Sequence, residues 1–220
     1  MTHHTACKLS LTAFFAAAAI FGISPAFAQE AEKAIPKGDP EKGKVVVEKV
    51  CGACHGIDGQ SFVSNYPHLA GQIPEYIVKQ LRHFKSGERV DPLMSPMAAQ
   101  EDVAKEEDEL NVAAWYAAQT AKPVAIKDET QIARGQKLWR GGDMAKGIPA
   151  CSGCHGPSGH GLAAQYPRLS GQYPEYIALQ LNKFRTGERA NDPEAVMRDI
   201  AEKLTDRDIK AVSEYAASLR

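Results

Sequence analysis

Apolar residues recur along this chain at helical intervals. Ile77, Leu81 and Phe84 fall at i, i+4 and i+7, and so do Ile177, Leu181 and Phe184. That spacing gathers each trio on one face of an α-helix. Pro74 and Pro174 precede the trios with Glu75 and Glu175 in the first turn, and Gly87 and Gly187 follow them. Proline at the start and glycine just past the end are helix boundary signals. Asp39-Pro40 predicts a further helix running towards Val50. Leu110, Ala113, Ala114 and Ala117 form a later apolar stripe, echoed by Ile209, Val212 and Ala216. Thr205 with Asp208 resembles a capping box at the start of the second of these. No alternating strand pattern competes with these signals, so the fold class expected is all-α.

The stripes come in pairs because the chain repeats. From Cys51 to Asp91 it reads CGACHGIDGQSFVSNYPHLAGQIPEYIVKQLRHFKSGERVD; from Cys151 it reads CSGCHGPSGHGLAAQYPRLSGQYPEYIALQLNKFRTGERAN. The segments align without a gap and about half their positions are identical. This is duplication of a whole folding unit, which predicts two similar helical domains. The boundaries expected are residues 29–119 and 129–220. A linker at 120–128 separates them, where Pro123 interrupts the helical pattern.

Residues 1–28 stand apart. A weakly basic start leads into an apolar run from Leu9 to Ile23, then Ser24-Pro25-Ala26-Phe27-Ala28. This reads as a cleaved secretory signal peptide ending at Ala28. The run is shorter than the roughly 20 apolar residues of a spanning helix. Cleavage removes Lys8 and no acid, leaving 25 basic against 27 acidic residues. A balance so near neutral argues against a nucleic-acid binder. Apolar residues at 44% and charged residues at 24% are ordinary for a globular protein. The mature chain is expected to be soluble or peripherally held at a membrane.

Of five cysteines, Cys7 leaves with the signal. The others form two C-x-x-C pairs, each followed at once by histidine: Cys51, Cys54, His55 and Cys151, Cys154, His155. C-x-x-C-H is the attachment signature of c-type haem. Two residues between the thiols set their reach to both vinyl-bearing edges of one porphyrin. The adjoining histidine then lies under the ring and offers a nitrogen to iron. Two covalently bound haem c groups would consume all four thiols, so no disulfide is expected. Zinc or thioredoxin-like chemistry fits less well, since two equivalent C-x-x-C-H motifs occur in a chain without a βαβ pattern.

An electron-transfer haem fills its sixth position too, and methionine raises its potential relative to a second histidine. Met197 is the only methionine after the second motif. It lies between the middle and terminal helices, where a loop can fold back over the ring. In the first repeat Met94 and Met97 compete, and counting from the shared Gly-Glu-Arg triplet favours Met97. His68, His83 and His160 recur in neither partner repeat, being matched by Arg168, Lys183 and Gln60; surface positions are expected for them, with His68 and Arg168 near a propionate. Pro67 and Pro167 each stand twelve residues after the haem histidine, in a loop whose carbonyl can orient that histidine. Gln72, Gln172, Tyr76, Tyr176, Arg89 and Arg189 recur and are candidates for propionate contacts.

These motifs together, with NYPHLAGQ and QYPRLSGQ, the two QL-x-x-F-x-(S/T)-GER stretches and Met197 ahead of Lys203-Leu204-Thr205-Asp206, resemble the dihaem cytochrome c4 family from Gly38 to Arg220. The resemblance implies two class I cytochrome c domains about a pseudo-twofold axis with propionates facing each other. It implies axial ligation by His55 and Met94 in one half and by His155 and Met197 in the other. The family's first half often carries M-x-x-M with the first Met as ligand. This chain departs from the family at Glu101 and in a longer, more acidic segment to Asp108, which keeps Met97 open. The resemblance further implies a periplasmic electron carrier passing electrons from a respiratory donor to a terminal oxidase, with peripheral association at the inner membrane. No catalytic constellation beyond the haems is visible, so an enzyme is not expected. The alternative is the cytochrome subunit of a flavocytochrome dehydrogenase.

Overall fold

The computed structural model describes Met1, residues 35–162 and residues 164–220. The signal-peptide expectation for residues 1–28, Cys7 included, therefore lies outside the described residues except at Met1. Among the described residues the secondary structure is helical, with two isolated bridges, Asp143 with Ile148 and Leu162 with Tyr166. No helix among them is long and apolar enough to cross a membrane.

The first half comprises α1 (Pro40–Val46), a π-helical turn (Val47–Cys51), α2 (Gly52–His55), α3 (Pro74–Ser86), α4 (Met94–Ala98), α5 (Glu101–Ala104) and α6 (Glu106–Ala117). The second comprises α7 (Ile132–Gly141), α8 (Ser152–His155), α9 (Pro174–Thr186), α10 (Val196–Glu202) and α11 (Asp206–Ser218). The punctuation read from the sequence does the expected physical work. The Asp39 side chain accepts from the backbone N–H groups of Glu41 and Lys42, with Pro40 at the first helical position. Gly87 and Gly187 close α3 and α9 at φ +84° and +75°, a conformation that costs glycine nothing. Thr205 and Asp208 form a full reciprocal capping box.

Each half buries its own core. Val47, Ile77, Val78, Leu81, Phe84 and Tyr116 belong to one cluster; Leu138, Trp139, Ile177, Leu181, Leu204 and Tyr215 belong to another. In each half the first and last helices cross at a glycine. A Cβ on Gly43 would lie 1.9 Å from the Asn111 carbonyl oxygen, and one on Gly135 would lie 2.1 Å from that of Ala211. Contact this close between backbones leaves no room for a methyl group. The start of each terminal helix also buries one carboxylate. Glu109 pairs with Arg82 at 3.0 Å and with Lys85; Asp208 pairs with Lys146 at 3.2 Å and with Arg134.

The halves differ where the repeat breaks. In the first, α1 runs through the π-helical turn straight into Cys51. In the second, residues 142–150 intervene as a loop pinned by mutual Asp143–Ile148 backbone bonds of 2.9 Å. A loop was expected around Met197, but Met197 stands in the first turn of α10, a helix entered through positive-φ residues Glu194 and Ala195. The acidic stretch after Met97 is also more ordered than a loop. It forms α5 and α6, divided by extended backbone at Lys105, and its charges are drawn into ion pairs, Glu107 with Lys42 and Asp102 with Lys49.

Gly135→Ala should therefore lower stability by about 1–3 kcal/mol, the usual cost of overpacking a closed contact, as read by denaturant unfolding. The same substitution at Gly141, where a Cβ meets nothing within 4 Å, should be close to neutral.

Candidate functional site

Both C-x-x-C-H motifs fold as one tight helical turn, α2 and α8, so the two cysteines and the histidine leave the backbone within a single turn. Gly56 and Gly156 end these turns at φ +75° and +79°. A Cβ at Gly56 would lie 2.4 Å from the Gln60 carbonyl oxygen, so the glycine after the motif is needed for both conformation and space. The next carbonyl is tied down in both halves. Trp115 of α6 donates its indole N–H to the Ile57 carbonyl at 2.7 Å, and Trp139 of α7 donates to the Pro157 carbonyl at 3.2 Å. Tyr116 donates its hydroxyl to the Gly56 carbonyl at 3.2 Å.

All four thiols among the described residues are free of disulfides. Burial, with Cys54 beside it, pushes the Cys51 thiol up to about 12, and burial pushes that of Cys151 up to about 11. Both are protonated, apolar groups at neutral pH.

His55 and His155 are buried, 6% and 8% exposed. Burial lowers the pKa of each imidazole, against the opposing effect of its carbonyl bond, so both rings are neutral. In each, Nδ1 stands 3.0 Å from a carbonyl oxygen, that of Pro67 or Pro167. A carbonyl can only accept, so Nδ1 carries the proton and Nε2 keeps its lone pair. This tautomer is the one a metal ligand requires, with its second nitrogen fixed by an outer acceptor. The loop that supplies the carbonyl is itself held by Leu69 N–H and Leu169 N–H donating to the Gly59 and Gly159 carbonyls at 2.9 and 2.8 Å.

A continuous cavity of about 850 Å³ reaches through both halves. Its wall includes Cys51, Cys54, His55, Cys151, Cys154 and His155, and also Met94, Met97 and Met197. Met94 packs against the first core cluster together with Leu69; Met197 packs against the second together with Leu169. Met97 is placed differently: its sulfur accepts from the Gln100 side chain at 3.0 Å in an exposed contact.

The remaining histidines separate. His68 is not a surface residue. It is 9% exposed, its ring lies 4.2 Å from that of Tyr173, and its Nδ1 accepts from the Ser61 N–H at 2.9 Å. That is the opposite tautomer to His55. His83 meets Asn191 at 2.9 Å and Glu88 at 3.3 Å. His160 is exposed.

Where the halves meet, side chains from each bind the other in reciprocal pairs. Gln72 binds both the N–H and the carbonyl of Arg168, at 2.8 and 3.0 Å; Gln172 binds both of these groups on His68, each at 3.0 Å. Arg89 donates to Tyr176 and Gln180 at 3.2 and 2.9 Å, and Arg189 donates to Tyr76 and Gln80 at 2.9 and 3.2 Å. Gln80, Gln180 and Asn191 were not singled out in the sequence. The first two recur in both repeats and could have been found that way, whereas Asn191 aligns with Asp91 and leaves no such trace. Arg89 and Arg189 line the cavity, are 9% and 7% exposed, and form no ion pair with a carboxylate among the described residues. Two buried guanidinium groups without a carboxylate in direct contact leave room for an acidic ligand to bind them. The cavity, the neutral imidazoles with Nδ1 committed to a carbonyl and these guanidinium groups all fit haem.

Comparison with known proteins agrees. The family model for Cytochrome c matches residues 40–123 and again 132–220. Cytochrome c4 of Thiocapsa roseopersicina is 45% identical over 184 residues, covering 83% of this chain and 93% of that protein. A thiosulfate dehydrogenase electron acceptor of Stutzerimonas stutzeri is 39% identical over 173 residues, covering 77% and 78%. The crystal structure of reduced recombinant cytochrome c4 from Pseudomonas stutzeri superposes with a TM-score of 0.75 at 39% identity, covering 83% of this chain and all of that one. Two tandem domains, each with its C-x-x-C-H motif, carry two covalently bound haem c groups. The chain belongs to the cytochrome c family, as a two-haem electron-transfer cytochrome of the cytochrome c4 type and not an enzyme.

Proposed function

We propose that Cys51 and Cys54 hold the first haem and Cys151 and Cys154 the second, each by two thioethers. His55 and Met94 are the axial ligands of the first iron, His155 and Met197 those of the second. The observation that carries this is the matched tautomer: each buried imidazole commits Nδ1–H to a proline carbonyl and leaves Nε2 for iron. Met94 is favoured over Met97 because, like Met197, it packs against the core cluster of its half, while the Met97 sulfur is engaged by Gln100.

Haem c would supply a one-electron iron couple. The chain's own residues do the rest. Leu69 and Leu169 exclude water from the ring faces. Arg89 and Arg189 meet the propionates, balancing their buried charge, and Tyr76 and Tyr176 orient the two guanidinium groups. The reciprocal bonds hold one half against the other, and so would hold the two haem sites at a set separation. Cleavage after Ala28 leaves a first domain to residue 119, a linker at 120–128 and a second domain from 129. The mature protein works in the periplasm, soluble or peripheral to the inner membrane, carrying electrons from a respiratory donor to a terminal oxidase. A second reading, acceptance of electrons from a dehydrogenase subunit, gains support from the likeness to a thiosulfate dehydrogenase electron acceptor.

Intact mass and visible spectroscopy of the exported protein test the assignment. The expected result is a chain beginning at Gln29 plus two haem masses, low-spin spectra and the weak far-red band of iron–methionine sulfur. One haem, or zinc in its place, would defeat it.

The ligands can be separated by substitution. Met94→Leu should abolish half of the far-red band and Met97→Leu should leave it whole; the reverse result would move the ligand to Met97. Met197→His should keep both haems attached and lower the potential of one of them only, as measured by redox titration.

A further inference from the structure

The carbonyl that orients each haem histidine belongs to a peptide group whose other end is bound by the opposite domain. Pro67 contributes the C=O and His68 the N–H of one planar unit. The C=O accepts from His55 Nδ1 at 3.0 Å, and the N–H donates to Gln172 Oε1 at 3.0 Å. In the second half the Pro167 carbonyl accepts from His155 Nδ1 at 3.0 Å, and the Arg168 N–H donates to Gln72 Oε1 at 2.8 Å. We infer that Gln172 is a positioning residue for His55 and Gln72 for His155, so that each domain sets the basicity of the other domain's iron ligand through a single peptide group. This rests on the proposed ligation by His55 and His155.

The direction of the effect follows from polarisation along a hydrogen-bonded chain. An acceptor on the N–H end makes the carbonyl oxygen a better acceptor. A better acceptor at Nδ1–H makes the imidazole more basic. A more electron-rich ligand favours oxidised iron, so each glutamine lowers the potential of the haem in the domain it does not belong to.

Nothing about either glutamine is loose. Gln72 and Gln172 are 7% and 5% exposed. Each Oε1 also accepts from its own following backbone N–H, that of Ile73 or Tyr173, at 3.0 and 3.1 Å. Each Nε2 donates to the carbonyl of residue 168 or 68 at 3.0 Å. The orientation of both amides is forced, since a backbone N–H can only donate and a carbonyl can only accept. Removing one side chain strands three backbone groups and releases the peptide from its partner.

The test replaces Gln172 by Met, which keeps the bulk and removes all three bonds, and Gln72 by Met likewise. Each haem is identified by its loss of the far-red band in the Met94→Leu or Met197→His background. Gln172→Met should raise the potential of the first-domain haem and shift its hyperfine-shifted histidine resonances, leaving the second-domain haem in place. Gln72→Met should do the reverse. Amide exchange at His68 should quicken by about tenfold or more in Gln172→Met and be unchanged in Gln72→Met. Asn191→Ala removes two other cross-domain bonds, to Gln80 and His83, and should not reproduce the crossed pattern. If Gln172→Met does not fold, Gln172→Glu serves with the opposite sign: it keeps and charges the acceptor on the His68 N–H, so it should lower the first-domain potential and leave amide exchange at His68 slow, and a raised potential would overturn the inference. Shifts confined to the substituted residue's own domain, shifts of both haems together or no shift at all would overturn the inference. A wild-type protein without two low-spin histidine–methionine haems would instead overturn the ligation, and amide exchange at His68 and Arg168 would still report on the bonds themselves.

Discussion

The hydrogen bond from a buried imidazole to a proline carbonyl is the constraint on which this structure turns. Burial makes the ring neutral, and the carbonyl then decides which of its two nitrogens keeps the proton. Neither condition suffices alone. A buried ring without the carbonyl could tautomerise, and a carbonyl at the surface would compete with water for the N–H. The helical turn, the glycine that ends it and the loop bonded back to Gly59 all bring that carbonyl to that nitrogen. His68 shows the alternative. It is as buried as the haem histidines, but a backbone N–H occupies its Nδ1 and commits it to the other tautomer.

Much of this was legible in the residues. Two C-x-x-C-H motifs embedded in a gapless repeat carry the haem chemistry, because covalent attachment fixes spacing at the level of adjacent residues. Helix ends at Asp39, Pro74, Gly87 and Thr205 were readable since capping is local. What escaped was long-range. The recurring Gln72, Tyr76 and Arg89 and their partners stood out as polar residues needing an explanation, but their bonding to one another across the halves spans some ninety to one hundred and ten residues. His68 looked like a surface residue because a single histidine carries no sign of the tyrosine that will cover it. The helix carrying Met197 was missed because positive-φ entry at Glu194 and Ala195 has no glycine to announce it.

The duplication explains why the interface is built from pairs. Two copies of one surface meet reciprocally, so a side chain that suits the contact appears twice and serves both directions. The exchange of glutamines between residues 68 and 168 is of this kind, and so is the exchange of arginines and tyrosines. Divergence shows where symmetry is not required. His68 stands where the other repeat has Arg168, and the buried carboxylate of the terminal helix finds its cations on α3 in one half but on α7 and the 142–150 loop in the other.

The two tryptophans that hold the turn after each haem motif reach it from opposite directions along the chain. Trp139 lies 18 residues before its carbonyl, whereas Trp115 lies 58 residues beyond its own. Closing the longer loop costs more chain entropy, though only slowly more with length. The sequence of events differs more than the energy does. As the polypeptide emerges amino end first, the second motif already has its indole in place when its cysteines appear. The first motif must wait for nearly the whole of its domain to follow. Two sites of one ancestry thus become ordered by different schedules, one motif waiting for its indole and the other following its own.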